Sequence, residues 1–168
     1  MRGHYAAGNY AKIGAFILCV YVIQMYIAGP IWILEIKPDL LQITVIVLAM
    51  NVRVFSVMIA SVLLSGLLKD IFGLYLFGFN TLMFGLEAIL VYLICRSVYK
   101  ETKAIKYIML TLSTLCGYAL LSVMFKKPYI SIGFLEAVIN CLFFPWIEKA
   151  FQAIQPPALR GNSWYAYK

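Results

Sequence analysis

Apolar residues fill this chain in long runs, cut by short clusters of charge, proline and glycine. The first run, residues 13–34, is long enough to cross about 30 Å of hydrocarbon as a helix. It exceeds the core of a signal peptide and no small-residue cleavage site follows it, so it is expected to remain in the mature protein. Gly29 and Pro30 should bend or loosen its far end, and Glu35, Lys37, Pro38 and Asp39 make a polar turn. Residues 40–68 are apolar apart from Asn51, Arg53 and a few uncharged polar side chains. A single helix there would be about 44 Å long, with Arg53 near its middle. An arginine at that depth costs roughly 3 kcal/mol on insertion scales. Two helices over 38–50 and 55–68 avoid the cost, the first of them short for a full span.

Lys69 and Asp70 are expected to close the third helix. The stretch from Gly73 to Asn80 has glycines and an asparagine at turn spacing and reads as a compact apolar loop. A fourth helix is expected over 81–95, then a charged stretch from Arg96 to Lys106 and a fifth helix over 107–125. Lys126, Lys127 and Pro128 mark a turn into a sixth over 129–151, which contains Pro145. The expected organisation is a leader over 1–12, a six-helix domain over 13–151, and a tail over 152–168 ending in Trp164, Tyr165 and Tyr167.

Composition agrees with that reading. The residue types Ala, Val, Ile, Leu, Met, Phe, Trp, Tyr and Cys make up 64% of the 168 residues and charged types 12%, about half the share in soluble domains. Disorder needs the opposite balance. The formal net charge of +7 bears first on orientation. With six helices, the side holding both termini carries Arg2, Lys12, Arg53, Arg96, Lys100, Lys103, Lys106, Lys149, Arg160 and Lys168, and the other side carries Lys37, Lys69, Lys126 and Lys127. That bias places both termini in the cytoplasm. The expected fold is an all-α integral membrane bundle of six transmembrane helices. Nucleic-acid binding would want a dense basic face with interleaved aromatics, and no window offers one.

Catalytic residue types are scarce. His4 is the single histidine and precedes the first apolar run, so a triad or a His-ligated zinc is hard to assemble. There is no G-x-x-x-x-G-K-[ST] loop. Cys19, Cys95, Cys116 and Cys141 show no C-x-x-C spacing and read as small buried hydrophobes rather than metal ligands or disulfides. No enzyme activity, cofactor or metal is expected.

The informative polar residues lie inside apolar runs. Glu87 falls in the fourth helix, and Glu136 and Asn140 share a face of the sixth. They read either as a proton or substrate site in the bundle interior, or as a headgroup-proximal acid with an interhelical hydrogen-bonding asparagine. Small residues at four-residue spacing (Ala7, Ala11 and Ala15; Ser56 and Ala60; Ser61 and Ser65, continuing to Gly66) can pack helices within the chain or against a partner's helix. Arg96, Lys100, Lys103 and Lys106, if helical, present a basic stripe for an anionic leaflet or a cytoplasmic partner. Trp32, Trp146 and the tail aromatics fit interfacial belts.

Several short motifs occur in a recognisable order. Lys37-Pro38-Asp39-Leu40-Leu41 opens the short second helix, and Gly66-Leu67-Leu68-Lys69-Asp70 closes the third. Gly78-Phe79-Asn80 leads into the fourth, and the sixth carries Asn140-Cys141-Leu142-Phe143-Phe144-Pro145. This pattern, over most of residues 37–148, resembles the MreD family of bacterial rod-shape membrane proteins. The resemblance implies a non-enzymatic scaffold of the elongasome in the inner membrane. It implies binding to the bitopic protein MreC and, through it, association with the MreB filament and the peptidoglycan polymerase and transpeptidase pair. It makes Pro38, Asp39, Gly66, Lys69, Asp70, Gly78, Asn80, Asn140 and Pro145 the structural motif positions. The six-helix plan is also similar to the substrate-binding S subunits of energy-coupling-factor vitamin transporters, which dock their membrane partner through a small-residue stripe in the first helix. Ala7, Ala11 and Ala15 have that spacing. This alternative implies an outer pocket lined by Asn80, Glu87, Glu136, Asn140, Tyr75 and Trp146.

Overall fold

In the computed structural model, which describes residues 2–28, 37–52, 54–72, 77–97, 103–126 and 129–154, the chain forms six α-helices and no strand among those residues. They are α1 (Arg2–Ala28), α2 (Leu40–Asn51), α3 (Phe55–Phe72), α4 (Phe79–Ser97), α5 (Lys103–Phe125) and α6 (Ile130–Ile154). Two of them, over Ala104–Phe125 and Ile130–Ile154, are long and apolar enough to cross a membrane.

Helix α2 organises the rest. Its sequence is apolar on every side, which suits a helix enclosed by others. Every residue from Leu40 to Met50 is buried, and α2 packs against each of the other five helices. At about 18 Å it is a short central post. It ends where the backbone can still be satisfied: Asn51 Nδ2 donates to the Val47 carbonyl at 2.8 Å, and the Val52 N–H reaches the Leu48 carbonyl at 2.9 Å. Helix α3 starts three residues later, so the apolar run of 40–68 is divided at the expected place. Arg53 itself lies outside the described residues.

The other helix ends differ from the sequence expectation in instructive ways. Helix α1 begins at Arg2, well ahead of the apolar run. Helix α3 continues through Lys69 and Asp70 to Phe72 because both side chains find partners on neighbouring helices and need not leave for water. Helix α5 begins at Lys103, inside the charged stretch, where Lys106 pairs with Glu148 of α6 at 2.6 Å. That pair takes Lys106 out of the expected basic stripe. Arg96 and Lys103 are described for their backbone alone, and Lys100 lies outside the described residues.

Close backbone approach between α3 and α4 depends on Gly66. A Cβ built there would lie 2.4 Å from the Thr81 Cα, so any side chain must push the two helices apart. Aromatic pairs at ring-centroid distances of 5.4–5.6 Å join α1 to α6 (Phe16 with Phe151), α3 to α4 again (Phe55 with Tyr92), and α5 to α6 (Tyr107 with Phe144). The bundle exterior is apolar, with Leu82, Leu90, Ile108, Leu112, Phe134 and Leu142 all exposed. Cys19 and Cys116 are exposed on this exterior, and Cys95 and Cys141 half-buried, all four as free thiols. The expectation of buried cysteines is corrected for Cys19 and Cys116, which sit on outward helix faces where a small apolar side chain is equally at home, whereas Cys95 and Cys141 pack against the core.

A polar layer around the start of the central helix

The polar residues gather at one end of the bundle, where α2, α4 and α6 begin and α1, α3 and α5 end. Asp39 is the N-cap of α2, its Oδ1 accepting the Gln42 N–H at 3.1 Å. Its own N–H donates to Asn140 Oδ1 of α6 at 2.9 Å, and Gln24 Oε1 of α1 accepts the Leu41 N–H at 2.9 Å. Three early N–H groups of α2 are thus held by side chains from α1, from α6 and from the cap itself. Lys69 of α3 donates to Asp39 Oδ2, and its ammonium stands 4.9 Å from the centre of the Phe84 ring.

Gln42, one turn into α2, is the hub beneath. Its Nε2 donates to Glu87 at 3.2 and 3.4 Å and to Ser113 Oγ at 3.3 Å. Its Oε1 accepts from Thr114 Oγ1 at 3.2 Å and from Asn140 Nδ2 at 3.5 Å. The Glu136 carboxylate accepts from the Tyr118 hydroxyl. Gly133 makes room for that contact: a Cβ there would lie 2.6 Å from the Tyr118 ring. Asp39, Gln42, Glu87, Glu136 and Asn140 are all buried. Burying such groups is tolerable because each is hydrogen-bonded.

A second cluster adjoins the first. Asp70 accepts from the N–H groups of Gly78, Asn80 and Thr81 at 2.9–3.1 Å, from Asn80 Nδ2 at 2.9 Å and from Thr81 Oγ1 at 2.6 Å. A carboxylate aimed at the first N–H groups of α4 satisfies them and meets the positive end of the helix dipole. Gly78 takes the positive φ of 92° that the turn into α4 requires.

A cavity of about 370 Å³ opens within this layer, with Asp39, Gln42, Lys69, Glu87, Tyr118 and Glu136 among its walls. Asn80 also lines it, while Asn140 lies behind Asp39 and Gln42. Trp146 does not belong to it: it is exposed and packs edge-on against Phe143. Tyr75 lies outside the described residues.

The structure therefore brings together Pro38, Asp39, Lys69, Glu87, Glu136 and Asn140, with Gly66, Asp70, Gly78 and Asn80 alongside. It does not bring Pro145 there; that residue lies inside α6. The small-residue positions are elsewhere. Ala11 and Ala15 are exposed on α1, whereas Ala7 is described for its backbone alone. Ser61 lines a shallow groove with Gly14, Ser56, Val57, Ala60 and Leu64, and Ser65 is fully buried and bonded to the Ser61 carbonyl.

Sequence reasoning missed Gln24, Gln42, Ser113, Thr114, Tyr118 and Gly133. One signal was available for Gln42: Asp39-Leu-Leu-Gln42 has the spacing of a capping box. Here the glutamine side chain turns away to Glu87 instead of back to its cap. Among the described residues, no three His, Cys, Asp or Glu side chains are placed to share a metal ion. Comparison with protein-family models, with curated proteins and with solved structures returns no match for this chain.

Proposed function

We propose that this protein is a multi-pass scaffold of the bacterial inner membrane, of the MreD kind, that binds MreC and supports lateral peptidoglycan synthesis. Membrane residence is supported by an inside-out distribution of side chains. Asp39, Asp70, Glu87 and Glu136 are buried, while large apolar side chains such as Leu82, Leu142 and Val123 cover the outside. In water so much exposed apolar surface would drive aggregation, whereas in lipid it is the expected exterior. Ten basic residues against four then favour cytoplasmic termini.

One observation carries the scaffold reading. The motif positions behind the MreD resemblance, far apart in the chain, are used as structural fastenings rather than as free reactive groups. Asp39 caps α2 and pairs with Lys69, Asp70 caps α4, Gly66 permits the α3–α4 approach, and Asn140 ties α6 to α2. A chain that devotes its motif residues to fixing helix positions presents a defined surface to a partner. The test is genetic and cytological: depletion in the native host should turn rods into rounded cells and disperse lateral-wall synthesis. Unchanged rods, with wall labelling in its normal pattern, would count against the reading.

The cavity favours a second reading, a ligand-binding subunit of a vitamin transporter. That reading requires a bound vitamin in the purified protein and loss of vitamin uptake on depletion, with cell shape retained.

A further inference from the structure

The cavity has a charge pattern that the scaffold reading does not use. Its charged walls are Asp39, Glu87 and Glu136 against Lys69 and Lys37. Lys69 pairs with Asp39 while its positive charge also acts on Glu87 and Glu136, and Lys37 is exposed, so three carboxyl groups stand against two ammonium groups. Deeper in, Glu87 receives bonds from the neutral amide of Gln42 and the neutral hydroxyl of Ser113, and Glu136 from the neutral hydroxyl of Tyr118 and the neutral amide of Asn140. A carboxylate can accept about four hydrogen bonds, so both retain capacity toward the cavity.

The aromatic walls suit the same kind of guest. Phe84 already faces an ammonium, that of Lys69, at 4.9 Å from the ring centre, and Tyr118 and Phe79 line the space beside it. A volume of about 370 Å³ is at the small end for a ligand site, fit for a small organic molecule rather than a polymer. Carboxylates carrying neutral donors, aromatic faces and an opening together favour a cation over an anion.

We propose that this cavity is a binding site for a primary ammonium group on a small organic body, seated between Glu87 and Glu136. The site belongs equally to a scaffold and to a transporter subunit, so it stands apart from the functional proposal. Two sources share the chemistry: a free small amine and the ethanolamine headgroup of a lipid.

The full chain is reconstituted in phosphatidylglycerol nanodiscs and titrated with phenethylamine, following thermal unfolding and heat of binding. Phenethylamine should raise the melting temperature, whereas neutral N-acetylphenethylamine should not. Glu87→Gln and Glu136→Gln, which keep side-chain size, should each weaken binding by roughly tenfold. Gly117→Val, on the cavity wall, should block binding while leaving every charge in place; its Cβ position is 3.9 Å from Glu87 Oε1, an ordinary contact. If added phosphatidylethanolamine competes with phenethylamine, the site takes a lipid headgroup; if it does not, the site takes a free amine. The proposal is overturned if phenethylamine gives no shift, if the N-acetyl compound binds as well, or if folded Glu87→Gln and Glu136→Gln proteins bind like the parent.

Discussion

Lys69 and Asp39 meet across 30 positions of sequence and turn two residues expected at helix ends into one interior fastening. Breaking such a pair strands a charge. Lys69→Met should cost about 3 kcal/mol, and the double change with Asp39→Asn should recover much of it. Denaturant unfolding of the detergent-solubilised protein measures both, and a loss below about 0.5 kcal/mol for Lys69→Met would show that the pair contributes little. Asp70→Ala removes the cap of α4 together with its contacts to Asn80 and Thr81, and should cost at least about 2 kcal/mol. Hydrogen exchange should then rise first in the opening turn of α4. Glu87, Glu136 and Asn140 were legible in the sequence because a charge or amide within an apolar run must find a partner. Gln24, Gln42 and Thr114 were not. An uncharged polar residue in such a run has many possible partners, and the ones chosen here lie on helices whose packing the spacing does not reveal.

Among the elements, the break near Asn51 was legible from the cost of burying Arg53 in a single long helix. The central position of α2 was not, since a short all-apolar helix could equally have lain at the bundle edge. Helix ends were misjudged where charge was read as a stop signal: α3 runs on through Lys69 and Asp70, and α5 starts at Lys103. In both places a side chain of the helix pairs with another helix, and the charge costs less than its type implies. Gly66 shows how tightly such pairs are set. Gly66→Ala should cost about 1–3 kcal/mol by forcing α3 and α4 apart. Gly133→Ala should act through Tyr118, displacing its ring and weakening its bond to Glu136. The environment of Tyr118, followed by a site-specific fluorine label, would separate this effect from general loosening.

In the whole molecule, the buried side chains include acids and amides while the exterior is largely apolar, and the polar layer lies at one end of the bundle. Lys37 lies at that end, and Lys149 is near the end of α6, at the other. In a background lacking native cysteines, Lys37→Cys should react with a membrane-impermeant maleimide from outside intact spheroplasts. Lys149→Cys should react only after permeabilisation. Composition made the apolar helices legible, but the shape of the exterior that would meet another protein depends on which helix faces α2 leaves outward. Scaffolding itself is tested most directly by co-expressing the tagged chain with MreC from the same genome and purifying in mild detergent. A stable complex of the two, surviving size-exclusion chromatography and weakened when Lys69→Met or Gly66→Ala distorts the bundle, is the predicted result. Folded protein that elutes alone, with MreC present in the same membranes, would contradict it.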